Sequence, residues 1–199
     1  VGDKIKFLDS DKKIDITNFN DPYTSSKLKA ENKLLDIARK TNMEVVIIRP
    51  PLIYGPGVKA NFLSMIKWLD KGIPLPFGSI NNKRSFISLE NLSNFIYLCL
   101  INKNAKNEIF CISDNEDIST TNLMRKINSF LKKKDRLISV PPFLLYLIFI
   151  LTGNKNLYLK LFSNSYANVT KAKKLIKWSP KISLDEGLKL TINEYLKNK

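Results

Sequence analysis

From residue 21 to about residue 41 the apolar positions Leu28, Leu34, Leu35, Ile37 and Ala38 can share one helical face, and Pro22 sits where an early-turn proline is tolerated. The pattern predicts a helix. The next stretch, MEVVIIRP at 43–50, is short, continuous and β-branched, as in a parallel strand buried on both faces. A helix feeding such a strand predicts an α/β sheet. PPLIYGPG then reads as a Pro- and Gly-rich loop at the strand's C-terminal end, where open α/β sheets carry ligand contacts. Residues 61–71 predict a second helix, stopped by Gly72, Pro74 and Pro76. SFISLENLSNFIYLCLI reads as a short strand turning into an apolar helix, and EIFCIS at 108–113 as another buried strand. Further helices are predicted near 121–133, 170–176 and 184–196, so the tail is mostly helical where the front half is sheet-rich.

The run 143–151 is apolar enough to raise the question of a membrane. A span needs ~20 residues and this run has roughly half that. It predicts a core helix, with surface attachment to a bilayer as the alternative.

Composition changes the picture in three places. The chain of 199 residues has a net charge of +15, which invites a nucleic-acid reading. The lysines are scattered, however, and the one dense run, LKKKDR at 131–136, has no aromatic interleaving, so nucleic acid is set aside and a basic cleft for a small acidic substrate is kept. The absence of histidine removes His-based nucleophile triads and makes a transition-metal site improbable. Cys99 and Cys111 each sit in an apolar run at no metal-ligand spacing, and they read as small core residues in a reducing compartment. The opening VGDKIKFLDSDKK has no cationic segment followed by an apolar one, so the expected compartment is cytoplasmic.

The candidate chemistry lies in DPYTSSKLKAE, where Tyr23 and Lys27 stand four residues apart and would project from one helical face. A phenol with a pKa of about 10 is a poor base near neutrality. An ammonium held nearby stabilises the phenolate and brings it toward the working range. Spacing alone does not separate this from a tyrosine capping the helix start beside a solvated lysine. The same pattern recurs at Tyr195 and Lys199, expected to be frayed residues at the end of the chain.

Order and spacing add what the pair lacks. DPYTSSKLKAE followed by VVIIRPPLIYGPG resembles the extended short-chain dehydrogenase/reductase family, specifically its NAD-dependent nucleotide-sugar epimerases, 4-keto reductases and dehydratases, with their P-Y-G-x-S-K-x-x-x-E and R-P-x-x-x-Y-G-P stretches. The resemblance continues through Asn61, KRSFISLENLSNFI and ANVTKAKKLIKWSPKISLDEGLKLTINEYL, so it covers essentially the whole chain. It implies that Tyr23 is the acid/base and that Lys27 holds the nicotinamide ribose of NAD or NADP and tunes Tyr23. It places Pro50 and Leu52 beside the nicotinamide and the sugar, and Asn61 and Arg84 on the nucleotide diphosphate. A guanidinium suits bidentate phosphate binding in its own right; an exposed arginine at a strand start is the plainer alternative.

Departures from the family pattern are equally readable. Thr24 replaces a glycine, Leu52 stands where galactose epimerases tend to have asparagine, LIKW has isoleucine in place of the usual glycine before Trp178, and Lys160 is a weak substitute for a tail arginine. No G-x-x-G-x-x-G turn occurs, and VGD is similar to the segment that closely follows the family's catalytic serine or threonine. The expectation is therefore the C-terminal half of a Rossmann-type parallel sheet with a smaller, mostly helical sugar-nucleotide domain. Residues 1–55 and 84–113 would form the rear of the NAD(P)-binding domain, and 56–83 and 114–199 the substrate domain. The implied reaction is hydride transfer at a sugar carbon, C4 of a UDP-hexosamine type substrate. The alternative is a non-catalytic remnant, or a subunit that needs a separate N-terminal half or a second copy as partner.

Overall fold

The computed structural model describes residues 6–8 and 22–199. In chain order its elements are β1 (Lys6–Leu8), α1 (Pro22–Lys40), β2 (Ile47–Arg49), β3 (Leu52–Tyr54), α2 (Ala60–Asp70), β4 (Phe86–Ser88), α3 (Leu89–Ile101), β5 (Ile109–Cys111), α4 (Thr120–Phe130), α5 (Pro142–Leu151), α6 (Lys155–Phe162), β6 (Ser165–Ala167), α7 (Thr170–Ile176) and α8 (Leu184–Lys197). Several helices start where a hydroxyl can accept from an orphan N–H. Ser88 accepts from the Asn91 N–H at the head of α3, Ser119 from Asn122 at α4, and Ser183 forms a reciprocal capping box with Glu186 at α8.

The strand pairs are parallel: β1 with β6, β2 with β5, and β3 with β4, the last in the register Leu52 to Phe86 and Tyr54 to Ser88. Apolar side chains collect in two cores. One joins β3 and β4 to α2, α4 and α8 through Tyr54, Phe62, Ile66, Phe86, Ile127 and Leu188. The other seats Phe95 of α3 edge-on against Phe110 and Trp178, at 5.4 and 5.1 Å between ring centroids. Cys99 and Cys111 are buried and free, as expected of core residues, and burial pushes the Cys99 thiol up to about 11.

β3 occupies the middle of the stretch expected to be loop. Its three residues fall between Pro51 and Gly55, and tertiary pairing with β4 makes them a strand despite that punctuation. The run 143–151 is not a core helix. In α5 only Leu145 is buried, while Phe143, Leu147 and Leu151 are 64%, 51% and 85% exposed. The helix rests on α6, with the Tyr146 and Phe149 rings 5.2 and 5.9 Å from that of Tyr158.

Two other expectations are corrected. The position before Trp178 that needs a glycine is not the isoleucine: Ile176 is buried, and Lys177 ends α7 in the left-handed region at φ 55°, ψ 31°. Tyr195 and Lys199 are not frayed. Tyr195 Oη donates to Asp70 at 3.0 Å, and Lys199 Nζ donates to the same carboxylate at 2.6 Å. Asp70 is buried, so this recurrence of Tyr-x-x-x-Lys serves to fasten α8 to α2.

Candidate functional site

The parallel pairing of β3 with β4 sets Leu52 opposite Phe86; α2 packs its Phe62 ring against Tyr54 and Phe86, and α4 packs on α2. Between them opens a cleft of about 490 Å³ whose walls include Leu52, Asn61, Met65, Trp68, Arg84 and Leu157. Three of the residues expected to meet substrate, Leu52, Asn61 and Arg84, are thus brought to one cavity. Arg84 is the single charged side chain lining it among the described residues.

Its direction follows from the strand alternation on either side. Lys83 pairs with Asp117 at 3.2 Å, and Ser85 donates its hydroxyl to the same Asp117 while accepting from the Ala167 N–H at 3.0 Å. Residues 83 and 85 therefore face Asp117, and Arg84 between them faces the cleft. Its backbone is fixed by paired hydrogen bonds with Ile118, 3.1 and 2.9 Å, and its guanidinium carbon lies 5.9 Å from the centroid of the Phe86 ring. Arg84 is not the exposed strand-start residue of the plainer reading. Burial works against its charge and lowers its pKa from the ordinary value, although an arginine stays protonated in proteins.

Lys27 and Pro50 do not line this cleft. Lys27 is an exposed residue of α1, and Pro50 is half-buried between β2 and β3. Tyr23 falls in the first turn of α1; its side chain, like those of Thr24 and Lys160, lies outside the described residues, as does the VGD segment. What orients α1 is Glu31. Its carboxylate takes a two-bond fork from Arg49, Nε to Oε2 at 3.2 Å and Nη2 to Oε1, with both side chains largely buried. Positions 23, 27 and 31 form one stripe on the helix at i, i+4 and i+8. The fork ties the Glu31 position of α1 to the end of β2, immediately before Pro50. Glu31 and Arg49 both stand within the motif stretches, yet spacing assigns neither of them a role.

A second polar centre, behind the cleft, went unread in the sequence. Asp114 is buried and accepts from the Tyr54 hydroxyl at 2.7 Å, the Asn91 amide at 2.7 Å and the Ser88 N–H at 3.0 Å. Asn91 also donates to the Ile182 carbonyl and accepts from the N–H groups of Lys181 and Ile182. Burial, then the Asp114 charge, pushes the Tyr54 phenol far above its usual range, and its hydroxyl serves to tie β3 to Asp114.

These features invite comparison with known proteins. A family model described as the NAD dependent epimerase/dehydratase family matches residues 2–113. The chain belongs to this family. Its Glu31–Arg49 fork, its Tyr54 and its Arg84 strand all lie inside the matched span. Over 177 residues it is 40% identical to a UDP-glucose 4-epimerase of Vibrio cholerae, covering 88% of this chain and 54% of that protein. A UDP-glucuronate 4-epimerase of Thermodesulfobacterium geofontis is 26% identical over 175 residues, covering 86% of this chain and 49% of the relative. The chain spans about half the length of these curated relatives. In fold it is similar to the Bordetella bronchiseptica enzyme WbmF solved with NAD+ and UDP, at a TM-score of 0.74 and 21% identity over 98% of this chain and 59% of that one. It is also similar to a UDP-glucuronic acid 4-epimerase of Bacillus cereus solved with NAD, at 0.75 and 20% over 98% and 58%. Both structures support the Rossmann-type α/β architecture expected of the family.

Proposed function

We propose that this chain forms the rear of the cofactor domain and the substrate domain of an NAD(P)-dependent nucleotide-sugar epimerase or reductase acting at C4 of a UDP-hexosamine. On this reading residues 1–55 and 84–113 belong with the cofactor, and 56–83 and 114–199 with the sugar nucleotide. The observation that carries it is the cleft itself, an apolar cavity whose single charged lining group among the described residues is the guanidinium of Arg84, with the Asn61 amide also on its wall. A guanidinium presents a planar fork of donors that matches the oxygens of a diphosphate. The surrounding apolar walls keep water out and strengthen that attraction. The 4-epimerases among the relatives and the UDP bound by WbmF favour the same substrate class.

With Glu31 tied to Arg49 just before Pro50, positions 23, 27 and 31, spaced four apart along α1, suit the nicotinamide end of a dinucleotide. Tyr23, Lys27, Pro50 and Leu52 would hold that end, and the bound cofactor would supply the hydride acceptor. Tyr23 removes the proton from the sugar hydroxyl and returns it. Lys27 favours the phenolate by its charge and positions the ribose. Arg84 and Asn61 hold the diphosphate so that the sugar carbon stays in place while the proton moves. A glycine-rich phosphate turn and a catalytic hydroxyl would come from a preceding segment or from a separate partner chain.

Calorimetric titration of the complete natural protein with UDP tests the cleft. Arg84→Lys is expected to weaken binding by ~1.5–3 kcal/mol, about ten- to a hundredfold, because a point charge replaces a fork. Equal affinity in the variant would remove Arg84 from the site and this reading with it.

A further inference from the structure

We propose that α5 docks the protein onto an anionic lipid surface. Its ten residues, PFLLYLIFIL, contain no charged side chain. A helix apolar all round belongs in a core or in lipid, yet this one buries Leu145 and leaves most of its length in water. The exposed positions 143, 144, 147, 148, 150 and 151 are not scattered. At 3.6 residues per turn they fill a continuous arc of about 160°, opposite the side of Leu145, Tyr146 and Phe149 that packs on the protein. At 1.5 Å per residue the helix is about 15 Å long, half the thickness of a bilayer core, so it lies in the interface plane and does not span. Among the described residues no helix is long and apolar enough to cross a membrane.

Charge selects the occupant of this face. Residues 132–164, which hold α5 and the α6 packed against it, carry six Lys or Arg and one acidic residue, Asp135. Anionic headgroups complement both properties at once, with the apolar arc entering the acyl boundary and the lysines staying at phosphate level. The inference does not depend on the proposed reaction.

The test is sedimentation of the complete natural protein with vesicles of phosphatidylcholine, with and without about one-third phosphatidylglycerol. Binding is expected to the anionic vesicles, at least tenfold weaker to the neutral ones, and reduced when salt rises from about 0.1 to 0.5 M. The double variant Leu147→Asp/Leu151→Asp should lose anionic-vesicle binding more than tenfold with an unchanged melting curve, since both side chains are exposed. No binding to anionic vesicles, equal binding to both compositions, or equal binding of wild type and variant would each overturn the proposal. So would a fall in solution mass of the variant by light scattering, which would make the face an interface between copies. Should the variant fold poorly, the lipid and salt dependence of the wild type decides alone.

Discussion

Arg49→Met breaks the fork that orients α1, and its effect can be worked from the geometry. Two charge-assisted hydrogen bonds join Arg49 to Glu31, and the side chains are 11% and 13% exposed. Bonds to charged groups contribute ~1.5–3 kcal/mol each, and removing one partner of a buried pair costs ~3–5 kcal/mol because the other charge is left stranded. Residual exposure argues for the low end, about 3 kcal/mol. The loss should fall on α1, where Leu28 is the sole fully buried side chain among the described ones, so few apolar contacts stand in reserve. In the complete natural protein, hydrogen exchange of residues 22–40 is expected to speed up by about a hundredfold, the equivalent of 3 kcal/mol. The double variant Glu31→Leu/Arg49→Met should recover most of that protection, since an apolar pair of similar volume leaves no unpaired charge. Unchanged exchange in Arg49→Met, or a double variant losing the sum of both single effects, would refute the assignment of Glu31–Arg49 as the tie between helix and strand.

Gly187→Ala places a Cβ 2.6 Å from the Tyr54 hydroxyl and 3.0 Å from its Cε2. The helix gains ~1 kcal/mol of propensity, but overpacking costs ~1–3 and a displaced Tyr54–Asp114 bond ~1–3, so urea unfolding should show a net loss of about 1–5 kcal/mol and equal stability would contradict the packing. Asp70 carries the pH dependence: hydrogen bonding from Lys199, opposed by burial and aided by Tyr195, holds its carboxyl below the ordinary value of 3.8. A depressed acid stabilises the fold above its unfolded pKa and loses that contribution as pH falls through the folded one. The stability gap between wild type and Asp70→Asn should therefore be constant near neutrality and shrink below about pH 4; a gap that does not change with acid would contradict the linkage.

Periodicity located the helices well, because α2, α4, α7 and α8 each bury an apolar stripe that repeats in the sequence; α1 matches its expected extent, yet Leu34 and Ile37 of its expected face are exposed. The family motifs were legible for a different reason, since they rest on the order of several separate stretches. The misses share a cause. β3 has three residues between proline and glycine, and only its partner β4 makes it a strand. α5 has core composition without a core position, because nothing in its own residues says what lies against it. Arg84 stood out by residue type as a candidate for phosphate, while its place in the cleft wall depends on Lys83 and Ser85 being drawn to Asp117. The Asp114–Asn91–Tyr54 centre joins residues up to 60 positions apart and ties Asn91 to Ile182, 91 positions on, distances over which no local pattern speaks. Lys177 shows the opposite limit, where a lysine takes the left-handed position and so hides the helix stop that a glycine would have announced.

The central claim is that Tyr23 moves the proton in a sugar-nucleotide reaction, and the most direct measurement is turnover of Tyr23→Phe in the complete natural protein with NAD and a UDP-N-acetylhexosamine, read as C4 epimer or reduced product. The variant should keep its fold and its UDP affinity while turnover falls ~10²–10⁴-fold, the usual contribution of a positioned acid/base. A variant that retains most of the wild-type turnover would contradict the claim and leave Tyr23 as a surface residue of α1.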